Sequence, residues 1–275
     1  MPQHPSDDQL LDLFNQASPG MLVTDADGRA VLANKAAREL LGADATAPGK
    51  AAAEALGVTD YTALADAGVT VENRKVSFPD TEFPSGYANI GFGELDGRTY
   101  GFWALRPTTT HPTPSGTRPE DLTGSATSWI RRVERNDPAY EPATADALPF
   151  LHAYYDSCPV AIHLIEADGT VGHANWKDIA IVGATEDPDR YVGHHIRNIY
   201  ADKEIVEDFL GRWDEDSPII DFRADFLNKD ERVPVVIFST AHVVDSTLHN
   251  TRCFVFADSE PSRPRDRVAA LDLDF

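Results

Sequence analysis

Short apolar runs, cut by turn residues, divide the chain into elements of two kinds. Leu10, Leu11, Leu13 and Phe14 recur at helical spacing in residues 8–17, which predicts an amphipathic helix. An apolar run at 20–24, entered at Pro19, predicts a strand. Ala26-Asp27-Gly28 then predicts a tight turn, because Gly accepts positive φ and Asp bonds its own backbone two residues on. A second apolar run ends at Ala33-Asn34. There Asn34 stands as a helix N-cap, and the helical pattern it opens stops at Gly42. Weak helical signals in an Ala-rich segment follow. Three more strands are predicted at 69–78, 86–95 and 98–105, the last two joined by Asp96-Gly97.

The same order returns in the second half. Asp27 and Asp168, Asn34 and Asn175, and Gly42 and Gly183 all stand 141 residues apart, which is an internal duplication. Residues 150–156 repeat the leading helix, and 160–165, entered at Pro159, repeat the first strand. Helices are predicted at 176–182 and 203–213, the latter with Ile205, Val206, Phe209 and Leu210 on one side. Strands are predicted at 219–227, 232–244 and 251–257, where Val235 and Ile237, and Phe254 and Phe256, alternate as on a half-buried sheet. Between the halves, 107–119 is rich in Pro, Thr and Ser and reads as linker, with a short helix predicted at 121–136.

A leading helix, a strand, an Asp-Gly hairpin, a strand ending in Ala-Asn and a short helix resemble the PAS sensory domains. In the second copy Gly193 resembles the Gly that opens the family's ligand-facing helix. Lys229-Asp230-Glu231 followed by Val233-Pro234-Val235 resembles its Lys-Asp-Gly hairpin and next strand, with Glu231 in place of Gly. The resemblance covers residues 148–258, and 10–42 of the first copy. It implies an α+β chain of two PAS-like domains, each a five-stranded antiparallel sheet with helices on one face. The expected layout is domain one at 8–108, linker at 109–147, domain two at 148–258 and a tail at 259–275. It also implies that the leading helix packs on the outer sheet face of its own domain or of a dimer mate, so that a homodimer through the leading helices is an expected partner arrangement.

The length of 275 residues suits two domains that each bury a core. With 24 basic and 45 acidic residues the formal charge is −21, from which neither nucleic acid nor an anionic membrane is expected as a partner. Two cysteines, Cys158 and Cys253, make no disulfide framework or zinc spacing and are expected to be buried small hydrophobes. The polar N-terminus is unlike a signal peptide and no apolar run approaches a membrane span, so a cytoplasmic location is expected. No phosphate-binding Gly loop, Gly-x-Ser-x-Gly elbow or His-Glu-x-x-His helix occurs, and a non-enzymatic role is expected.

The resemblance places a pocket between the inner sheet face and the central helices. In the second domain its expected lining is Ile162, Leu164, Trp176, His194, His195, Ile196, Ile199, Phe209, Ile237 and Phe254. His163, His173, His194 and His195 form the constellation of most chemical interest, since His is a frequent haem and metal ligand. The haem-ligating position of oxygen-sensing relatives falls at Val206, and the adduct-forming cysteine of light-sensing relatives at Ile196, so neither arrangement is expected. A haem held from His194 or His195 remains an alternative, as does a non-covalent flavin met by Asn175, Trp176 and Asn198. Against the flavin, Asn175 reads as a helix cap and Trp176 as core, with Trp103, Trp129 and Trp213 as core or interface filler. No output domain is expected within residues 259–275. The expected function is therefore a sensory module that takes a small organic ligand in its second domain and acts on a protein partner carrying the output. The alternatives are a haem or flavin redox protein using the same pocket, and a ligand-free scaffold.

Overall fold

Asp-Gly turns and Asn caps organise both halves as their chemistry dictates. The computed structural model describes residues 4–78, 83–108, 138–213, 218–244 and 247–258. The helix predicted at 121–136, Trp129, most of the linker and the tail lie outside them.

The first half runs α1 (Asp7–Gln16), β1 (Gly20–Asp25), β2 (Ala30–Ala33), α2 (Lys35–Leu41), α3 (Ala43–Thr46), α4 (Ala52–Ala55), α5 (Tyr61–Ala67), β3 (Val71–Ser77), β4 (Ser85–Leu95) and β5 (Arg98–Pro107). The second runs α6 (Leu148–Ser157), β6 (Ala161–Glu166), β7 (Val171–Ala174), α7 (Trp176–Ile181), α8 (Lys203–Gly211), β8 (Ile219–Asn228), β9 (Glu231–Val244) and β10 (Thr247–Ala257). Two 3-10 turns, Pro188–Arg190 and Ile196–Asn198, lie between α7 and α8. The resulting antiparallel sheets have the same order, β2-β1-β5-β4-β3 and β7-β6-β10-β9-β8. An α+β chain of two PAS-like domains is thus observed, with central helices over the inner face of each sheet.

Local chemistry accounts for the joints. Gly28 and Gly169 take φ of 76° and 87° in the hairpins. Asp25 Oδ1 accepts from the amides of Asp27 and Arg29, and Asp168 Oδ1 from that of Thr170. At the β8–β9 hairpin of the second domain the positive φ falls on Lys229, at 57°, and Glu231 already pairs with Asn228 inside the ladder. That is why a non-glycine residue stands comfortably at position 231. Gly193 does have positive φ, but a single 3-10 turn follows it rather than a long helix.

The leading helices do not stay at home. Ser6 and Gln9 form a capping box that starts α1, which buries Leu10, Leu13 and Phe14. Asp12 and Gln16 on its other side meet Arg252 of β10 at 3.2 and 3.1 Å, so α1 lies on the outer face of the second domain's sheet. Reciprocally, α6 lies on the outer face of the first sheet. Tyr154 donates to the Trp103 carbonyl at 2.7 Å, and its ring meets Phe102 edge-on. The two helices run antiparallel to each other, joined by His4–Asp156 at 2.8 Å and Asp7–His152 at 3.0 Å. One apolar cluster spans both domains, taking in Phe14, Phe102, Tyr154, Ile162, Phe238 and Phe254. The apolar faces that a homodimer through the leading helices would use are buried within one chain.

The close approach of α6 depends on two glycines of β4. A Cβ at Gly91 would stand 2.6 Å from the Ser157 carbonyl oxygen, and one at Gly93 the same distance from Ser157 Oγ. Gly91→Val is expected to force the end of α6 off the sheet and cost on the order of 1–3 kcal/mol, read as a lower urea midpoint. Gly97→Ala, whose added Cβ meets nothing within 4 Å, controls for the loss of a glycine and carries only the strain of its positive φ.

Candidate functional site inside the second domain

Asn175 builds this site. Its Oδ1 accepts from the amides of Asp178 at 2.9 Å and Ile162 at 3.0 Å, while its Nδ2 donates to the carbonyls of Val160 and Tyr155. The cap therefore fixes the first turn of α7 against β6. This brings the Asp178 carboxylate opposite His163, the residue after Ile162, with His163 Nδ1 and Asp178 Oδ1 3.0 Å apart. A carboxylate can only accept, so Nδ1 carries the proton.

Both side chains are wholly buried. Tyr191 stands over the imidazole edge-on, its hydroxyl 3.3 Å from Nδ1. Cys253 is the cross-strand partner of His163 and its thiol donates to Ser239 Oγ at 3.3 Å. Burial by itself pushes the His163 pKa down, but the Asp178 carboxylate, with a further contribution from Cys253, more than offsets it, raising the imidazole to about 10. The neighbouring carboxylate thus favours the protonated form of His163. Four polar atoms of this interior have no hydrogen-bond partner among the described residues: His163 Nε2, Asp178 Oδ2, Tyr200 Oη and Thr251 Oγ1. Each such group, left dry, costs about 1–3 kcal/mol.

The duplication supplies an internal control. The first-domain counterparts of His163 and Asp178 are Leu22 and Ala37, both fully buried. Trp103 pairs with Leu22 as Cys253 pairs with His163, and it stacks on Tyr61 with centroids 5.3 Å apart. The polar atoms there close on one another: Trp103 Nε1 donates to Thr24 Oγ1 at 2.8 Å, Thr24 Oγ1 and Tyr61 Oη stand 2.7 Å apart, and Tyr61 Oη donates to the Asp25 carbonyl. Burial holds the Tyr61 hydroxyl up at about 12. The fold is complete without a charged pair in its first copy.

Of the expected lining, Ile196, Ile199, Phe209 and Ile237 share the inner cluster with Tyr191, Tyr200 and Cys253. Ile162, Leu164 and Phe254 do not join them. They point to the opposite face, into the cluster between the domains, because in β6 and β10 the inward residues are Ala161, His163 and Ile165, and Thr251, Cys253 and Val255. Trp176, expected in the core or pocket, is 57% exposed at the first turn of α7. His194 is exposed, and His195 is half-buried against the Asp168-Gly169 turn, where its Nδ1 accepts from the Arg197 amide. Neither presents a ring to the inner cluster for haem. The Asn175 amide is spent on four backbone groups and Asn198 is exposed, so the group of three proposed for a flavin is not assembled. His163 was singled out among the histidines, but its partner was not. The signal was present in the repeat, which sets Asp178 at the place of Ala37.

Cys158 and Cys253 are both free and buried, and burial lifts the Cys158 thiol to about 12. Trp103 fills the first core, and Trp213 packs partly buried beside the second. Among the described residues no helix is long and apolar enough to cross a membrane.

Comparisons with known proteins fall on this frame. The family model described as "PAS domain" matches residues 8–76. No curated protein matches the chain. Among solved structures, the PAS domain of an HTR-like protein from Haloarcula marismortui is similar at 19% identity, over 41% of this chain and 93% of that one, with a TM-score of 0.35. A structure described as an RNA-binding Light-Oxygen-Voltage receptor is similar at 11% identity, over 87% and 95%, with a TM-score of 0.38. The DhaR(N)–DhaL complex of E. coli is similar at 14% identity, over 91% and 83%, with a TM-score of 0.32. None of these likenesses supports the exclusion of nucleic acid drawn from charge. The family match makes residues 8–76 similar to a PAS domain, and the second half of the chain repeats the sheet order in which those residues take part.

Proposed function

We propose that the protein is a sensory module that binds a small organic ligand inside its second domain and acts through contact with a partner protein that carries the output. One observation supports this most: the same fold is built twice, once with a self-satisfied apolar interior and once with a buried ion pair and unpartnered polar atoms. A purely structural core gains nothing from His163 and Asp178 where Leu22 and Ala37 serve. The residue opposite is also smaller, Cys253 in place of Trp103. Stability is given up at this point in only one copy, as at a binding site.

Two consequences are measurable. Breaking the pair in Asp178→Ala leaves a buried imidazolium without its partner and is expected to cost about 3–5 kcal/mol. The double change His163→Leu with Asp178→Leu replaces the pair by apolar side chains of similar volume, apolar as Leu22 and Ala37 are in the first domain, and is expected to be neutral or stabilising. If the double variant is as damaged as the single one, the pair is structural. The pH dependence has a fixed sign: with the folded imidazole raised from 6.5 to about 10, its contribution is full below pH 6.5 and lost as pH rises through about 10. Urea midpoints should fall over that range in the natural chain and not, by this cause, in the double variant.

The function itself is tested by an absorption spectrum of freshly purified protein and mass spectrometry of what denaturation releases. A colourless organic molecule, released by the natural chain and not by the double variant, is expected. Haem or flavin bands would replace this reading with a redox one. Nothing released, and no small molecule that raises the melting temperature, would leave a ligand-free scaffold.

A further inference from the structure

The chemistry around His163 and Asp178 narrows what such a ligand is, granted the ligand-binding reading above. The pair is neutral as a whole, so a charged guest would bring an uncompensated charge into an interior where neither residue has any exposure. The two atoms it leaves unpartnered differ in kind. His163 Nε2 bears a proton in the imidazolium and can only donate, whereas Asp178 Oδ2 can only accept. A guest that satisfies both must offer one acceptor and one donor. The surrounding side chains are flat: Phe209 packs against Phe222 and Tyr200 with centroids 5.2 and 5.8 Å away, and Tyr191 stands edge-on to the imidazole.

We propose that the His163–Asp178 pair is a recognition site for a small, planar, neutral molecule of the cyclic-amide class, its carbonyl accepting from His163 Nε2 and its ring N–H donating to Asp178 Oδ2. The wall over the pair, residues 183–200, is built from two single 3-10 turns and irregular backbone. Such a segment opens at less cost than the sheet behind it, which gives a guest its route. Tyr191 belongs to that wall, so its hydroxyl reports on whether the wall has closed on the pair.

The test uses the full chain with isotope-labelled histidine and three probes of similar size: 2-pyridone, N-methyl-2-pyridone and toluene. Titration with 2-pyridone is expected to shift the His163 ring signals saturably. N-methyl-2-pyridone, which keeps the carbonyl and lacks the donor, is expected to bind at least tenfold more weakly, and toluene not to shift them. In the His163→Leu, Asp178→Leu double variant, expected to fold by analogy with the first domain, 2-pyridone should bind no better than toluene. Equal binding of 2-pyridone and its N-methyl derivative would overturn the proposal, because no donor would then reach Asp178. Binding of toluene alone would overturn it while leaving a ligand-binding domain, with an apolar guest. If no probe binds and denaturation releases nothing, the ligand-binding reading falls with it, and the orphaned atoms are left to water.

Discussion

The structure rests on one side chain used twice. The amides of Asn34 and Asn175, both buried, each hold four backbone groups: the first turn of a helix, the start of a strand, the residue entering that strand and the last residues of the leading helix. These groups would otherwise be unsatisfied in a dry interior, at about 1–3 kcal/mol each. No other side chain of that size offers two donors and a two-lone-pair acceptor in one plane. Asn therefore sets three directions at once, including the one in which the leading helix departs from its domain.

That departure carries each leading helix to the other domain and turns two half-buried sheets into one assembly. The outer faces meet around α1 and α6, and a polar seam runs beside them. Arg106, stacked over Tyr87 and Phe256, donates to Asn73, whose amide donates to the Ala257 carbonyl. Burial lowers the Arg106 pKa, opposed by the charges of Asp221 and Asp258. Along β10 the interior and this interface are one residue apart. Cys253 faces His163 and Arg252 faces Asp12 and Gln16. A change of packing around the His163–Asp178 pair bears on the same strand that anchors α1, which is how an interior event would reach the surface between domains.

Much of this was legible in the sequence, because turns and caps are local chemistry. The 141-residue spacing of Asp-Gly, Asn and Gly revealed the duplication, and alternation in β9 and β10 revealed the sheet. The side of the sheet was harder. Ile162, Leu164 and Phe254 are as apolar as any pocket residue, and in this chain both sheet faces are buried, so hydrophobicity no longer tells inside from outside. Trp176 misled for a related reason: it follows the cap, where the first helical residue faces solvent whatever its type. The partner of His163 lay hidden among 45 acidic residues, and only comparison with the apolar first copy distinguishes Asp178 from a solvated carboxylate.

The crossing of the leading helices is the claim on which the rest turns, and amide hydrogen exchange tests it most directly. In a chain lacking residues 1–17, protection should fall in β9 and β10 of the second domain, where Arg252 loses Asp12 and Gln16, more than in β4 and β5 of the first. Loss confined to β4 and β5 would mean that α1 covers its own domain, and would contradict the account.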